Sequence, residues 1–119
     1  MKSSIVIIAS VIVLSIVSSC GNTNTGTGFN IFTIEQDKEL GVQVAQEIEG
    51  NPQEYPILDS ARYSKAYKYL YDIRNSILNS GNVIHKDEFV WRLRIIHNDS
   101  VKNAFCTPGG YIYVYTGLM

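Results

Sequence analysis

The part of the sequence that says most about the fold is residues 107–115, TPGGYIYVY. Its last five residues are β-branched or aromatic, and this composition predicts a β-strand over residues 111–115. The residues before it predict a type II turn, because Pro108 suits the second position of that turn and Gly109 the third, where φ is positive. A glycine-containing turn therefore leads directly into an apolar strand.

A second strand is predicted upstream, over residues 89–97, where apolar and charged residues alternate up to Ile96. The side chains expected on its buried face are those of Phe89, Trp91, Leu93 and Ile95. Arg92 and Arg94 would then point to solvent, so this strand is expected to have one solvated face. The segment between the two strands is predicted to be a loop.

Two helices are predicted before the strands. The first begins at a capping box of Thr33 and Gln36 and ends at Gly50. Its expected apolar stripe is Leu40, Val44 and Ile48, while Glu47 and Glu49 are expected on a solvated face. Gly41 lies within this helix, where glycine costs about 1 kcal/mol relative to alanine.

The second helix is predicted to open at Asp59 or Ser60 and to close before Gly81, which suits a left-handed position. Its expected apolar stripe is Ala66, Leu70, Ile73 and Ile77, flanked by Tyr63 and Tyr67. We interpret its tyrosines as a face half-buried against a sheet. The order of elements predicts an α+β fold with two N-terminal helices followed by a small antiparallel sheet. Because two strands alone are not stable, and Met119 follows an apolar strand directly, we expect a truncated chain or one that continues.

Composition excludes several classes of protein. The 119 residues carry 10 Lys and Arg against 11 Asp and Glu, so there is no basic surface typical of nucleic-acid binding, and we predict no nucleic-acid partner. Hydrophobic residues make up 45% and charged residues 18%, which indicates a folded chain. Two cysteines are too few for a disulfide-stabilised miniprotein.

Residues 1–19 are typical of a signal peptide, with Lys2 before an apolar run at residues 5–17 that is short for a membrane span. Small residues before Cys20 resemble the lipobox of bacterial lipoproteins. This resemblance implies a diacylglycerol on the Cys20 thiol, cleavage before it, and a membrane partner through lipidated Cys20. An ordinary signal peptide or a short anchor are the alternatives.

Residues 20–31 are rich in Asn, Thr and Gly and predict a flexible tether. By analogy with enteric lipoproteins, the absence of aspartate after Cys20 favours the cell envelope, on the periplasmic face of the outer membrane. Cys106 would then be the remaining free thiol. We interpret it as a small apolar residue beside Phe105; a disulfide with Cys20 is the competing use, which lipidation would prevent.

Two blocks of sequence together resemble the zinc metalloendopeptidases of peptidase family M-48, in its lipoprotein type. The first comprises residues 32–36, 39–41 and 44–48; the second comprises residues 103–114, NAFCTPGGYIYV, and the Thr-Gly-Leu of residues 116–118. The resemblance covers residues 32–119, which we expect to be the N-terminal part of a zincin-like peptidase domain.

The resemblance implies a zinc cofactor, held by a later helix bearing His-Glu-x-x-His, whose glutamate activates the metal-bound water. That motif is absent from the 119 residues, so catalytic and metal-ligating residues are absent from this chain, and we expect the chain alone to be inactive. His85 and His97 are not spaced as a helical pair, and we interpret them as a loop and a strand-end histidine.

The resemblance also implies that a polypeptide substrate binds as an added, extended strand. The candidate substrate-binding residues are Asn103, Ala104, Phe105, Gly109 and Gly110. Asn103 would contact the substrate backbone, and the two glycines would allow close backbone approach. The alternatives are that the strand at residues 111–115 binds the substrate, and that Phe105 and Pro108 only pack the loop.

Three functions follow from these observations. The leading one is the N-terminal portion of a lipid-anchored zinc metalloendopeptidase that hydrolyses misfolded or envelope proteins. The second is a non-catalytic lipoprotein that binds extended polypeptide at the same edge. The third is an inert gene fragment, prone to aggregate through an exposed edge at residues 111–115.

Overall fold

A computed structural model describes residues 32–119, which fold as an α+β unit with two helices and a small sheet. The helices are α1, Ile34–Glu49, and α2, Ser64–Leu78. The strands are β1, Arg92–Ile96, β2, Ala104–Thr107, and β3, Tyr111–Tyr115. Short 3-10 turns cover Pro108–Gly110 and Thr116–Leu118. The predictions for the signal peptide, Cys20 and the tether lie outside the described residues.

Within residues 32–119, no helix has both the length and the apolar character that crossing a bilayer requires.

The N-terminus of α1 confirms the predicted capping box. The Thr33 hydroxyl accepts a hydrogen bond from the Gln36 amide at 3.2 Å, and the Gln36 side chain accepts one from the Thr33 amide at 2.9 Å. The buried face differs from the prediction, since it passes through Gly41, Ala45 and Ile48, while Leu40 is 37% exposed. The helix is therefore turned so that its glycine, and not Leu40, meets the rest of the domain.

The second helix starts later than predicted. Residues 59–63 form a turn instead, in which the Asp59 carboxylate accepts a hydrogen bond from the Arg62 amide at 2.7 Å. Tyr67 is the fully buried residue of α2, whereas the predicted stripe residues Ile73 and Ile77 are 43% and 56% exposed. The predicted positive φ at Gly81 is confirmed at 81°.

The sheet is mixed, so the predicted antiparallel arrangement is wrong. Its strand order is β1-β3-β2, with β1 parallel to β3 and β2 antiparallel to β3. A parallel pair needs a long connection between its strands, and the segment between Ile96 and Tyr111 provides one. The segment predicted to be a loop contains the third strand, β2, which folds back along the free side of β3.

Strand β1 begins three residues later than predicted, because Trp91 has a φ of 44° and ends the extended conformation there. The prediction of a solvated strand face was also wrong. Arg92 Nη2 donates to Glu49 Oε2 at 2.8 Å, and Arg94 Nε lies 3.4 Å from Glu49 Oε1. The two arginines therefore point toward the end of α1, and Glu49 is an ion-pair partner instead of a solvated side chain.

Two buried clusters lie against the sheet. One joins α1 to the sheet and consists of Ala45, Ile48, Ile96, Tyr111 and Tyr113. The other joins α2 to the sheet and consists of Tyr67, Leu93 and Ile95. Because side chains alternate along a strand, neighbouring Ile95 and Ile96 face opposite ways, and the two helices cover opposite faces of the sheet.

Candidate peptide-binding edge

The turn before β3 is packed directly against α1. A Cβ atom on Gly41 would lie 2.2 Å from the Pro108 carbonyl oxygen and 3.0 Å from Gly109 Cα. Gly109 has φ 76° and ψ 3°, which confirms the predicted third position of a type II turn. The two sequence blocks that resemble the peptidase family therefore meet at Gly41, where only a residue without a side chain fits.

Gly109 and Gly110 both make close approaches to the chain itself. A Cβ on Gly109 would lie 3.4 Å from the Asp37 carbonyl oxygen, and one on Gly110 would lie 2.9 Å from Phe89 Cβ. Gly110 also has a positive φ, 84°, which the sequence did not predict. Their close approach thus serves packing of the turn, and their contact with a substrate stays a prediction.

Three of the predicted site residues lie together at the edge of the sheet. Ala104 and Phe105 belong to β2, the outermost strand, and the carbonyl of Asn103 accepts a hydrogen bond from the Tyr115 amide at 3.0 Å. Strand β3 is the central strand, paired on both sides. The alternative that residues 111–115 present a free edge, to a substrate or to aggregation, is therefore wrong.

The register determines which backbone groups of β2 are available. Asn103 is bonded to Tyr115, and the antiparallel register continues with Phe105 opposite Tyr113. Hydrogen-bonded and non-hydrogen-bonded pairs alternate in such a ladder, so Ala104 and Cys106 are the non-hydrogen-bonded residues. Their N–H and C=O groups point away from β3 and bond no group within residues 32–119.

The side chains of β2 alternate between the two faces of the sheet. Phe105 is half-buried and stacks on Tyr113, with ring centroids 5.0 Å apart, and lies 6.2 Å from the ring of Tyr115. Cys106 is exposed and has no disulfide partner within residues 32–119. As consecutive residues of a strand, Phe105 and Cys106 face opposite ways.

The other edge of the sheet is closed by side chains and loop backbone. The Leu58 amide donates to the Ile95 carbonyl at 2.9 Å, and the His97 amide donates to the Pro56 carbonyl at 2.8 Å. The Tyr67 hydroxyl accepts from the Ile95 amide at 3.2 Å and donates to the Leu58 carbonyl at 2.8 Å. Each outward backbone group of Ile95 thus has a partner.

The role of the Tyr67 hydroxyl at this closed edge was not predicted from the sequence. The sequence placed Tyr67 on the flank of a helix, but a buried tyrosine needs a partner for its hydroxyl, and that requirement was the available signal. Burial raises the pKa of Tyr67 above its ordinary value of 10.0, against a smaller opposing effect of its backbone hydrogen bond at Ile95.

A charged cluster lies beneath the α1 face of the sheet. Glu49 lies between Arg92 and Arg94, as described above, and Tyr113 is completely buried nearby. The Tyr113 hydroxyl has no hydrogen-bond partner within residues 32–119. Burial, followed by the negative charge of Glu49, raises the pKa of Tyr113 above 10.0.

The residues of this chain do not fit the zinc site that the resemblance implies. His85 Nδ1 lies 2.6 Å from Glu88 Oε1, and His97 Nδ1 lies 3.8 Å from Asp99 Oδ1; both histidines are exposed and belong to separate segments. No group of three His, Cys, Asp or Glu side chains with metal-binding geometry occurs in residues 32–119.

Comparison with protein-family models gives no match for this chain, and comparison with curated proteins gives none either.

Proposed function

We propose that residues 32–119 align polypeptide substrates for a lipid-anchored zinc metalloendopeptidase of the M-48 type. In this proposal an extended segment of a misfolded or envelope protein adds to β2 as a fourth strand. The observation that carries the proposal is the open edge at Ala104 and Cys106, within the sequence block that bears the resemblance.

The edge offers a complete set of hydrogen-bonding groups to an added strand. Two amides donate and two carbonyls accept, on Ala104 and Cys106, and none of these groups requires a particular substrate side chain. Asn103 is exposed at the start of the strand, where its side-chain amide would extend the contact to the substrate backbone. Such recognition suits an enzyme that acts on unfolded polypeptide of varied sequence.

The packing of the neighbouring turn supports a fixed edge. Gly41 lies directly against Pro108 and Gly109, so α1 holds the turn that joins β2 to β3. Phe105 stacks on Tyr113 from the central strand. The turn next to β2 and the ring of Phe105 are thus both held by other elements, which fixes the position of the edge that would align an added peptide.

The peptidase part of the proposal rests on the resemblance, and reading the coding sequence beyond the codon for Met119 tests it. We expect an in-frame continuation that encodes a His-Glu-x-x-His helix. A stop codon directly after Met119 would overturn the peptidase assignment. Peptide binding by the edge would then make the chain a non-catalytic binding lipoprotein, and its absence would make it an inert fragment.

The binding part is tested by blocking the edge without disturbing the sheet. Cys106→Pro removes an amide that points away from β3, a position where an edge strand tolerates proline. The matched control, Cys106→Val, changes the side chain and keeps the amide. With the full chain in detergent and a fluorescent extended peptide, we expect the proline variant to bind about five-fold or more weakly. Equal binding by both variants would place the peptide elsewhere.

A further inference from the structure

A ladder of aromatic rings runs across the sheet toward the open edge. Phe105 and Tyr113 are stacked with an interplanar angle of 18° and centroids 5.0 Å apart, and Tyr115 lies 6.2 Å from Phe105. Phe105 is the outermost ring, because β2 is the last strand on this side. One side of this ring therefore meets Tyr113, and the other faces the space that an added strand would fill.

The geometry of the strand brings that space close to Phe105. Phe105 directs its backbone groups to Tyr113, so a residue placed opposite it on an added antiparallel strand forms a non-hydrogen-bonded pair. The Cα atoms of such pairs are about 4.5 Å apart, and their side chains lie closest of all cross-strand neighbours. The residue opposite Phe105 would thus contact its ring directly.

The two faces of the edge differ in what they offer. On the α1 face, Phe105 packs against the buried cluster that includes Tyr113, so an apolar side chain added there would extend an existing core. On the opposite face, Ala104 and Cys106 are small and exposed. Side chains of an added strand on that face would make few contacts, because Ala104 and Cys106 are small.

We propose that this edge selects extended segments with an aromatic residue opposite Phe105, and tolerates any residue at the two neighbouring positions. This inference rests on the proposed function, since it assigns a specificity to the same edge. Aromatic cross-strand pairs provide the preference, and the backbone bonds of Ala104 and Cys106 provide the basal binding.

The test uses blocked seven-residue peptides of alternating serine and threonine whose central residue is phenylalanine, alanine or aspartate. We expect the full chain in detergent to bind the phenylalanine peptide about three- to ten-fold more tightly than the alanine peptide. Phe105→Leu should reduce this preference to about two-fold or less. Phe105→Tyr keeps the ring and should keep the preference.

The outcomes separate the two proposals. Equal affinity for all three peptides overturns the specificity and leaves the proposed function in place. A preference that persists in Phe105→Leu also overturns it, because another residue must then select the aromatic side chain. Failure of every peptide to bind overturns both proposals.

Discussion

The two edges of this small sheet differ in the hydrogen bonding of their outward backbone groups. Along β1, the outward backbone groups of Ile95 are bonded to Leu58 and Tyr67. Along β2, the outward groups of Ala104 and Cys106 have no partner within residues 32–119. Unpaired strand edges favour association with other chains, and proteins usually cover or charge them. Within residues 32–119, the edge at Ile95 is closed by a loop and a buried hydroxyl, whereas the uncharged strand β2 is open to pairing.

The closed edge depends on residues distant in sequence, and the open edge on residues close together. Tyr67 and Ile95 are 28 positions apart, and the segment that pairs with Ile96 is centred on Ile57. The open edge is built from a single short segment, residues 103–110. Gly41 supports this segment. Substitutions can therefore change each edge separately.

The largest effect is expected where the open edge is supported. Gly41→Val places side-chain atoms where the Pro108 carbonyl lies, with its Cβ 2.2 Å from that oxygen. Because both partners are backbone, α1 and the turn must move apart, and we expect a loss of about 3 kcal/mol or more in the free energy of unfolding. Urea denaturation measures this change.

Gly81→Ala is the control for this substitution. Unlike the helical Gly41, Gly81 has a positive φ, and a Cβ there would meet nothing within 4 Å. The control should cost about 1 kcal/mol, from backbone strain alone. Equal losses for the two variants would show that the contact between Gly41 and Pro108 does not support the edge.

The second prediction opens the closed edge. Tyr67→Phe removes the hydroxyl that bonds the Ile95 amide and the Leu58 carbonyl. The buried Ile95 amide and the partly buried Leu58 carbonyl then lose this partner. We expect the free energy of unfolding to fall by about 2 kcal/mol, because unsatisfied buried polar groups are costly. Tyr69→Phe, on a side chain that is 60% exposed, should change it by less than about 0.5 kcal/mol. Similar values for both would mean that the hydroxyl does not close the edge.

Some of the structural features that form the two edges could be predicted from the sequence. The Thr33 capping box, the turn at Gly109 and the strand through Tyr113 are local features, since each depends on a few neighbouring residues. Asn103, Ala104 and Phe105, which lie at the open edge, were predicted as substrate-binding residues through a resemblance in sequence. Their position at the edge could not be derived, because strand order depends on contacts between distant segments.

The predictions that were wrong, for the strand β2 and for the arginines of β1, failed because they also depend on contacts between distant segments. Residues 104–107 alternate weakly and are only four in number, so they do not look like a strand until β3 pairs with them. Arg92 and Arg94 look like solvated residues until the end of α1 brings Glu49 to them. Tertiary contacts therefore decide the strand direction and the identity of each edge.

The third prediction concerns alkaline pH. Burial raises the pKa of Tyr67 and of Tyr113 above 10.0 in the folded chain, while in the unfolded chain both ionise near pH 10. Below about pH 9 both states are protonated and these groups cause no pH dependence. Above about pH 10 the unfolded state loses protons that the folded state keeps, so stability falls by at most about 1.4 kcal/mol per pH unit for each tyrosine.

This prediction is measured by urea denaturation between pH 8 and pH 11, a range set around the tyrosine pKa of about 10. Tyr67→Phe should make the alkaline decline shallower, because one of the two buried hydroxyls is gone. An identical slope in Tyr67→Phe and the unsubstituted chain would contradict the assignment of this proton to the closed edge.

The smallest effect on stability is expected at the open edge itself. Cys106 is exposed, and its outward backbone groups bond nothing within residues 32–119, so Cys106→Lys should change the free energy of unfolding by less than about 0.5 kcal/mol. The same substitution should alter association, because a charged lysine on an edge strand discourages pairing with another chain. Sedimentation velocity over a range of concentrations should show less self-association for Cys106→Lys than for Cys106→Ser, which removes the thiol without adding charge. If lysine destabilised the chain by about 2 kcal/mol, as opening the closed edge does, β2 would be covered in solution, and the contrast between the two edges would disappear.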